Sequence, residues 1–282
     1  MGSRDESDPT GHLDQAWPGY GRTSIQEVAA IGSLRNGYGE LGRRACDHAG
    51  EWTPSFAYDA DVGEFVNVTL ARVPHGFDFS EPLGLLFEWV EKQGYVVKGR
   101  DGDLYGSLSG GDRRVGTEIE LRGYTAGQTA SYTRSWFGDV AESPSARLWP
   151  FAQTGGDGSM GAMWLDGDRQ TRVVHLGSGS GSLLTCVLAD NGLDFLRLLA
   201  IGYQESCWSE ELTAPPQPWD ENGDTVNAPY RDWLHRTFGA TVPATALEIV
   251  REPAEMGDPA TRDPFCRWVN YLQDRQWPPP TP

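Results

Sequence analysis

Residues 83–93 carry Leu83, Leu86, Phe87 and Val90 at helical spacing, Glu81-Pro82 stand at the start, and Gly94 follows where a left-handed C-terminal cap is usual. That combination predicts an amphipathic helix. Residues 65–73 read differently, because Val66, Val68 and Leu70 alternate with Asn67 and Thr69, which predicts a strand. Short runs at 95–98, 103–108, 116–122 and 129–137, each bounded by Gly or Asp, predict antiparallel strands. Runs at 160–165, 171–176 and 183–188 add three more. Asp166-Gly167-Asp168 and the Gly-Ser run 177–182 join these three as a meander.

Asp190 or Asn191 then caps a helix whose stripe is Leu193, Leu196, Leu199 and Ala200 and which ends near Gly202. Further on, Asn227 and Pro229 open a helix closing at Phe238-Gly239, with Tyr230, Trp233, Leu234 and Phe238 on one face. Asp263-Pro264 open another, with Phe265, Trp268, Val269 and Leu272 as its stripe, and residues 244–251 are a candidate for one more helical piece. Helix, several strands and helix without strict βαβ alternation predict an α+β fold: a central antiparallel sheet flanked by helices, with a helical C-terminal extension. Three regions are expected. Residues 1–45 form a flexible arm with a weak helix candidate in 23–41, residues 46–205 form the α+β core, and residues 206–282 supply an acidic, Pro-rich linker and helices packed on that core.

Composition sharpens this. Among 282 residues, 35 glycines and 19 prolines predict long loops without reaching the level of a disordered chain. With 23 basic and 40 acidic residues the net charge is −17, which disfavours nucleic acid and favours a basic partner. The most apolar window, 193–203, contains Asp194 and Arg197 and is far shorter than the roughly 20 residues of a membrane span. No basic N-terminal segment leads into an apolar stretch, so the expectation is a cytoplasmic protein whose four scattered cysteines are reduced thiols.

Several motifs come close to known chemistry and fail on a residue. The run 177–182 has the glycines of a phosphate loop but no Lys, and a predicted strand follows it rather than a helix, so it reads as a hairpin turn. Asp220, Asn222 and Asp224 match calcium-loop positions, yet Thr225 stands where Gly is required and Arg231 where Glu is required. No Cys or His has a second ligand at metal-binding spacing, so neither metal nor cofactor is expected. His175, inside Val173-Val174-His175-Leu176, reads as a sheet histidine. Glu118/Glu120 and Asp166/Asp168 are close carboxylates suited either to acid/base work or to an acidic binding face. Most of the 11 tryptophans fall on core stripes, but Trp136 and Trp208 lie among polar and Gly residues as candidate interface anchors.

Leu148-Trp149-Pro150-Phe151-Ala152, the Gly155-Gly156-Asp157-Gly158 turn, Met163-Trp164-Leu165, Val173-Val174-His175-Leu176-Gly177-Ser178 and Leu193-Asp194-Phe195-Leu196 together resemble the core of the SUKH superfamily, over about residues 148–203. Bacterial immunity proteins of polymorphic toxin systems and yeast cell-wall regulators typify that superfamily. An N-terminal Leu-Pro helix common in it is not evident here. In this frame Trp164 fills the sheet–helix core, with Leu196 and Leu199 covering the sheet. The resemblance implies an immunity protein that occludes a cognate toxin domain without catalysis or cofactor, and the charge makes that toxin domain basic. Partner-binding residues are then expected among Glu118, Glu120, Trp136, Asp157, Asp166, Asp168 and Trp208. A carboxylate-dependent hydrolase and an intracellular regulatory scaffold binding host proteins are the alternatives.

Overall fold

A computed structural model describes residues 63–110, 115–138, 144–218 and 224–274. The expected arm (1–45), its weak helix and residues 220–223 of the calcium-like loop lie outside the described residues. The order is α1 (Glu64–Leu70), α2 (Glu81–Lys92), β1 (Val96–Lys98), β2 (Leu104–Ser107), β3 (Glu120–Leu121), α3 (Ala126–Phe137), β4 (Leu148–Gln153), β5 (Met160–Leu165), β6 (Thr171–Leu176), β7 (Thr185–Ala189), α4 (Gly192–Ile201), α5 (Ala228–Phe238) and α6 (Pro264–Asp274). The strands form one antiparallel sheet in sequence order, β1 to β7, so the class is α+β as expected.

Two predicted strands are helices. Residues 65–73 alternate as a strand would, but Phe65, Val66 and Thr69 also share one helical face, and that face is buried. The carboxylate of Glu91 in α2 accepts from the amides of Phe65 (3.0 Å) and Val66 (3.3 Å), filling orphan donors at the start of α1. Tertiary contact thus overrides the preference of Val and Thr for strands. Residues 129–137 fold as α3 because Thr125 and Gln128 form a capping box: Thr125 Oγ1 accepts from the Gln128 amide, and Gln128 Oε1 accepts from the Thr125 amide. Thr129, Thr133 and Phe137 then recur at helical spacing on the buried side. The predicted strand at 116–122 shortens to β3, and 244–251 supplies only the single helical turn Ala246–Glu248. Strand β4 joins the sheet although Pro150 interrupts its donors, with a register shift between Pro150 and Ala152 absorbing the irregularity.

The sheet is covered on both faces, which is why β4 and β5 read as nearly continuous apolar runs. On one face Trp149, Phe151, Met163, Val173, Cys186 and Leu188 meet Leu86 and Phe87 of α2 and Phe195, Leu196 and Leu199 of α4. On the other, Leu148, Ala162, Trp164, Val174 and Leu176 meet Phe137 of α3 and Phe265, Val269 and Leu272 of α6. Trp164 is therefore a core residue, but not beneath α4 with Leu196 and Leu199 as expected. Residues 163 and 164 point to opposite faces of β5, and the face of Trp164 belongs to α6.

The caps read from the sequence organise the C-terminal helices. Asn227 accepts from the Tyr230 amide (3.0 Å), and the Tyr230 hydroxyl donates to Leu196 O (3.0 Å), seating α5 against α4. Asp263 uses one carboxylate oxygen to cap α6 through the Cys266 amide (2.8 Å) and the other to accept from the Val187 amide of edge strand β7 (2.9 Å). The second bond occupies a donor that an edge strand would otherwise leave exposed.

Candidate functional site: an acidic end of the sheet

The register decides which loops meet. Gln153 pairs with Met160, and Leu176 with both Met160 and Thr185, so the β4–β5 turn (154–159) and the β6–β7 turn (177–184) share one end of the sheet. Leu165 pairs with Thr171, which sends the 166–170 turn to the opposite end. The sequence-predicted aspartates are thereby separated: Asp157 lies at one end, Asp166 and Asp168 at the other.

Asp157 ties the first two turns together. Its Oδ1 accepts from the Ser159 amide (2.9 Å), and its Oδ2 accepts from Ser159 Oγ (2.9 Å), Ser178 Oγ (2.8 Å) and the Ser182 amide (2.9 Å). Burial works against ionisation here, but these donors outweigh it and hold the carboxyl below its ordinary value. The Gly-Ser run is the turn between β6 and β7, and a side chain at Gly177 would strike the backbone of Ser182. Asp157→Asn should cost about 1 to 3 kcal/mol by leaving turn donors poorly matched. A thermal melt checks this, and an unchanged midpoint would contradict the stapling role.

Beneath the turns, His175 is fully buried, with Nε2 2.9 Å from Thr154 Oγ1 and Nδ1 2.8 Å from Leu184 O. Burial drives its pKa down to about 4, opposed by the Leu184 carbonyl and Asp157, so the ring is neutral near pH 7. The Cys207 thiol donates to Thr154 O (3.3 Å), and Cys207 O accepts from Ser182 Oγ. Burial, then the charges of Asp157 and Glu205, push this thiol well up, which keeps it protonated and unreactive. These groups clamp the 202–218 segment onto the sheet end. A methyl group at Gly155 would collide with Cys207 Sγ, so the glycine there allows the clamp to close.

The clamp displays an apolar pair. Leu183 and Trp208 directly follow the two residues joined by the Ser182–Cys207 hydrogen bond, and they are 45% and 36% exposed. Carboxylates stand around them. Glu205 accepts from the Gly156 amide (2.8 Å), Glu255 accepts from Ser209 Oγ (2.7 Å), and the Met256 amide donates to Leu183 O (2.8 Å), keeping Leu183 beside Glu255. Glu210 and Glu211 follow on the same segment. Residues 154–160, 177–185 and 202–218 contain no Lys, Arg or His. Alongside runs a groove of about 430 Å³, walled by Tyr203, Pro215, Pro216 and Pro218 and edged by Glu205, Glu210 and Glu211. Desolvation at its wall, reinforced by Glu205 and Glu210, raises the Glu211 carboxyl above its ordinary value.

Glu118 belongs to this end: its amide donates to Gln204 O (2.8 Å), and its Oε1 accepts from Gln204 Nε2 (3.4 Å). Glu120, in β3, is half-buried. Burial raises its carboxyl, Arg122 opposes that, and Asp101 adds to it. At the far end Asp166 is buried, accepts from the Asp168 and Gln170 amides (2.9 Å each) and pairs with Arg172 Nε (2.9 Å), while Asp168 is exposed. Trp136 is not the exposed anchor expected. In α3 it sits one turn beyond Tyr132, ring centroids 5.9 Å apart, and packs against the core under α6.

Leu183, Glu205, Glu210, Glu211 and Glu255 escaped the sequence reading. The absence of Lys, Arg and His from 202–218 is a local property of the chain, but its pairing with the Gly-Ser turn depends on contacts far apart in sequence. Among the described residues no group of three or more His, Cys, Asp or Glu is placed to hold a metal, and no helix is long and apolar enough to cross a membrane. Compared with known protein families, curated proteins and solved structures, the chain has no match.

Proposed function

We propose that this chain is an immunity protein of the SUKH type, which neutralises a cognate bacterial toxin domain by covering it with the acidic end of the sheet. The observation that carries the reading is the exposed Trp208–Leu183 pair set among Glu255 and, on a segment without a cation, Glu205, Glu210 and Glu211. Large apolar anchors inside a polar rim are the usual anatomy of a protein interface, and the sign of this rim selects a basic partner. The resemblance over residues 148–203 supplies the class of partner. The protein acts without catalysis or cofactor, in the cytoplasm, beside the toxin it holds.

Of the residues expected from sequence, Glu118, Glu120, Asp157 and Trp208 stand at this end: Trp208 as anchor, Asp157 as the staple beneath it, Glu118 on the flank, and Glu120 half-buried in β3 opposite Gln153. Glu120, Trp136, Asp166 and Asp168 are not part of the proposed contact.

The test is capture of the toxin encoded by the adjacent gene, followed by surface plasmon resonance at two salt concentrations. Trp208→Ala should speed dissociation by about 30-fold, corresponding to roughly 2 kcal/mol at an interface anchor. Glu205→Gln with Glu210→Gln should instead slow association by about tenfold or less at low salt, because rim charges act on encounter. A salt-independent association rate would remove the electrostatic part of the proposal, and failure to bind the neighbouring toxin would remove the immunity reading.

A further inference from the structure

The apolar pair does not account for the groove beside it. Tyr203 forms the inner wall, its hydroxyl donating to Ala214 O (2.8 Å) and accepting from the Ala246 amide (2.9 Å), so the ring is held in place. Pro215, Pro216 and Pro218 form the outer wall, and proline backbones lose little freedom when a ligand lies against them. Three carboxylates edge this apolar slot, and no cation on the same segment answers them. A long side chain with an apolar stem and a planar cationic head matches both features. Its stem covers the prolines beside the nearly buried Tyr203 ring, and its planar fork of donors presents a fixed bidentate geometry to the carboxylates, whereas a lysine ammonium is a compact, strongly hydrated point charge.

We propose that the groove between Tyr203 and Pro215–Pro218 receives a single arginine side chain from the partner protein, its guanidinium held by Glu205, Glu210 and Glu211. This rests on the docking reading above and deepens it: Trp208 and Leu183 supply the apolar contact, and the groove selects which basic surface is accepted. The guanidinium also relieves the crowding of like charges around Glu211.

The test is a nuclear magnetic resonance titration of the full chain with acetyl-Gly-Arg-Gly-amide at low salt, beside the same peptide carrying lysine or citrulline. The arginine peptide should shift amides of Tyr203, Gln204, Glu205, Glu210, Glu211 and Ala214, bind at least about fivefold more tightly than the lysine peptide, and leave the 166–170 turn unmoved. The citrulline peptide, equal in shape but uncharged, should be silent. Glu210→Gln with Glu211→Gln should weaken arginine binding at least about tenfold. Asp168→Asn with Asp232→Asn, which removes the same charge from exposed positions elsewhere, should change it less than about twofold.

Equal response to lysine and arginine, shifts scattered over the whole acidic surface, or equal loss in both double variants would overturn the proposal in favour of unspecific charge attraction. The two readings fail separately. A silent groove with toxin capture still dependent on Trp208 removes only the arginine inference, whereas arginine binding without toxin capture removes the immunity reading and leaves the groove.

Discussion

Trp164→Ala should destabilise the protein by about 3 to 5 kcal/mol, lowering the melting midpoint by on the order of 10 °C. The indole is 2% exposed and lies 5.2 Å from Phe265 and 5.8 Å from Trp268, ring centroid to centroid, with the Arg147 guanidinium 5.7 Å from its ring centre. Truncation would remove the knob on which α6 rests. It would leave a cavity between two rigid layers, the sheet and a helix that Asp263 pins to β7. Collapse is the only way to recover that loss, and the pinning restricts it. Trp164→Phe gives the complementary result. Among the described residues the indole N–H has no hydrogen-bond partner, so removing it forfeits no bond seen there, and the cost should stay below about 1.5 kcal/mol. A thermal melt of both variants decides the matter: an unchanged midpoint for the alanine variant would refute the role of Trp164 as the seat of α6.

Acid should weaken the fold through His175, well before ordinary carboxylates are protonated. The folded pKa lies near 4 because burial disfavours the imidazolium, while the unfolded chain titrates near 6.5. Between these values the unfolded state binds the extra proton, so stability is complete above about pH 6.5 and falls as pH drops toward 4. The full difference corresponds to about 3 kcal/mol from this group alone. Asp157 acts in the same direction at lower pH, because its carboxyl is held below the ordinary range and its contribution disappears only when it is protonated. Urea denaturation at pH 7.0, 5.5 and 4.5 should therefore show a falling midpoint in the wild type. In His175→Leu the fall should be much shallower, although that variant starts lower because the Thr154 hydroxyl loses its ring partner. Parallel slopes in the two proteins would disprove the assignment, and taking the difference between them cancels the carboxylates they share.

Much of this architecture is written locally. Asn191, Asn227 and Asp263 each cap the helix that follows, Gly202 and Gly239 end α4 and α5 in the left-handed conformation, and β5 and β6 occupy the predicted runs 160–165 and 171–176. Such signals are legible because each is a bond or a dihedral angle satisfied within a few residues. Thr125 and Gln128 show that legibility also requires the right template: their spacing spells a capping box, yet the β-branched and aromatic residues after it suggested a strand. The error in 65–73 had no local remedy, since the Glu91 carboxylate that fills the α1 amides stands 25 and 26 residues away.

The acidic end divides in the same way. By itself the sequence determined that the protein is acidic, that residues 202–218 carry no cation, that Trp208 stands among polar residues, and that 154–159 and 177–182 are turns, because composition and turn chemistry are properties of short segments. Only the tertiary structure decided that those turns share one end of the sheet while Asp166 and Asp168 occupy the other, that Asp157 is a staple, and that Leu183 and Trp208 are both exposed next to the Ser182–Cys207 hydrogen bond. The physical reason is strand register: Met160 opposite Leu176 and Leu165 opposite Thr171 fix which loops are neighbours. That pairing is set by side chains buried on both faces of the sheet, far in sequence from the charges it gathers.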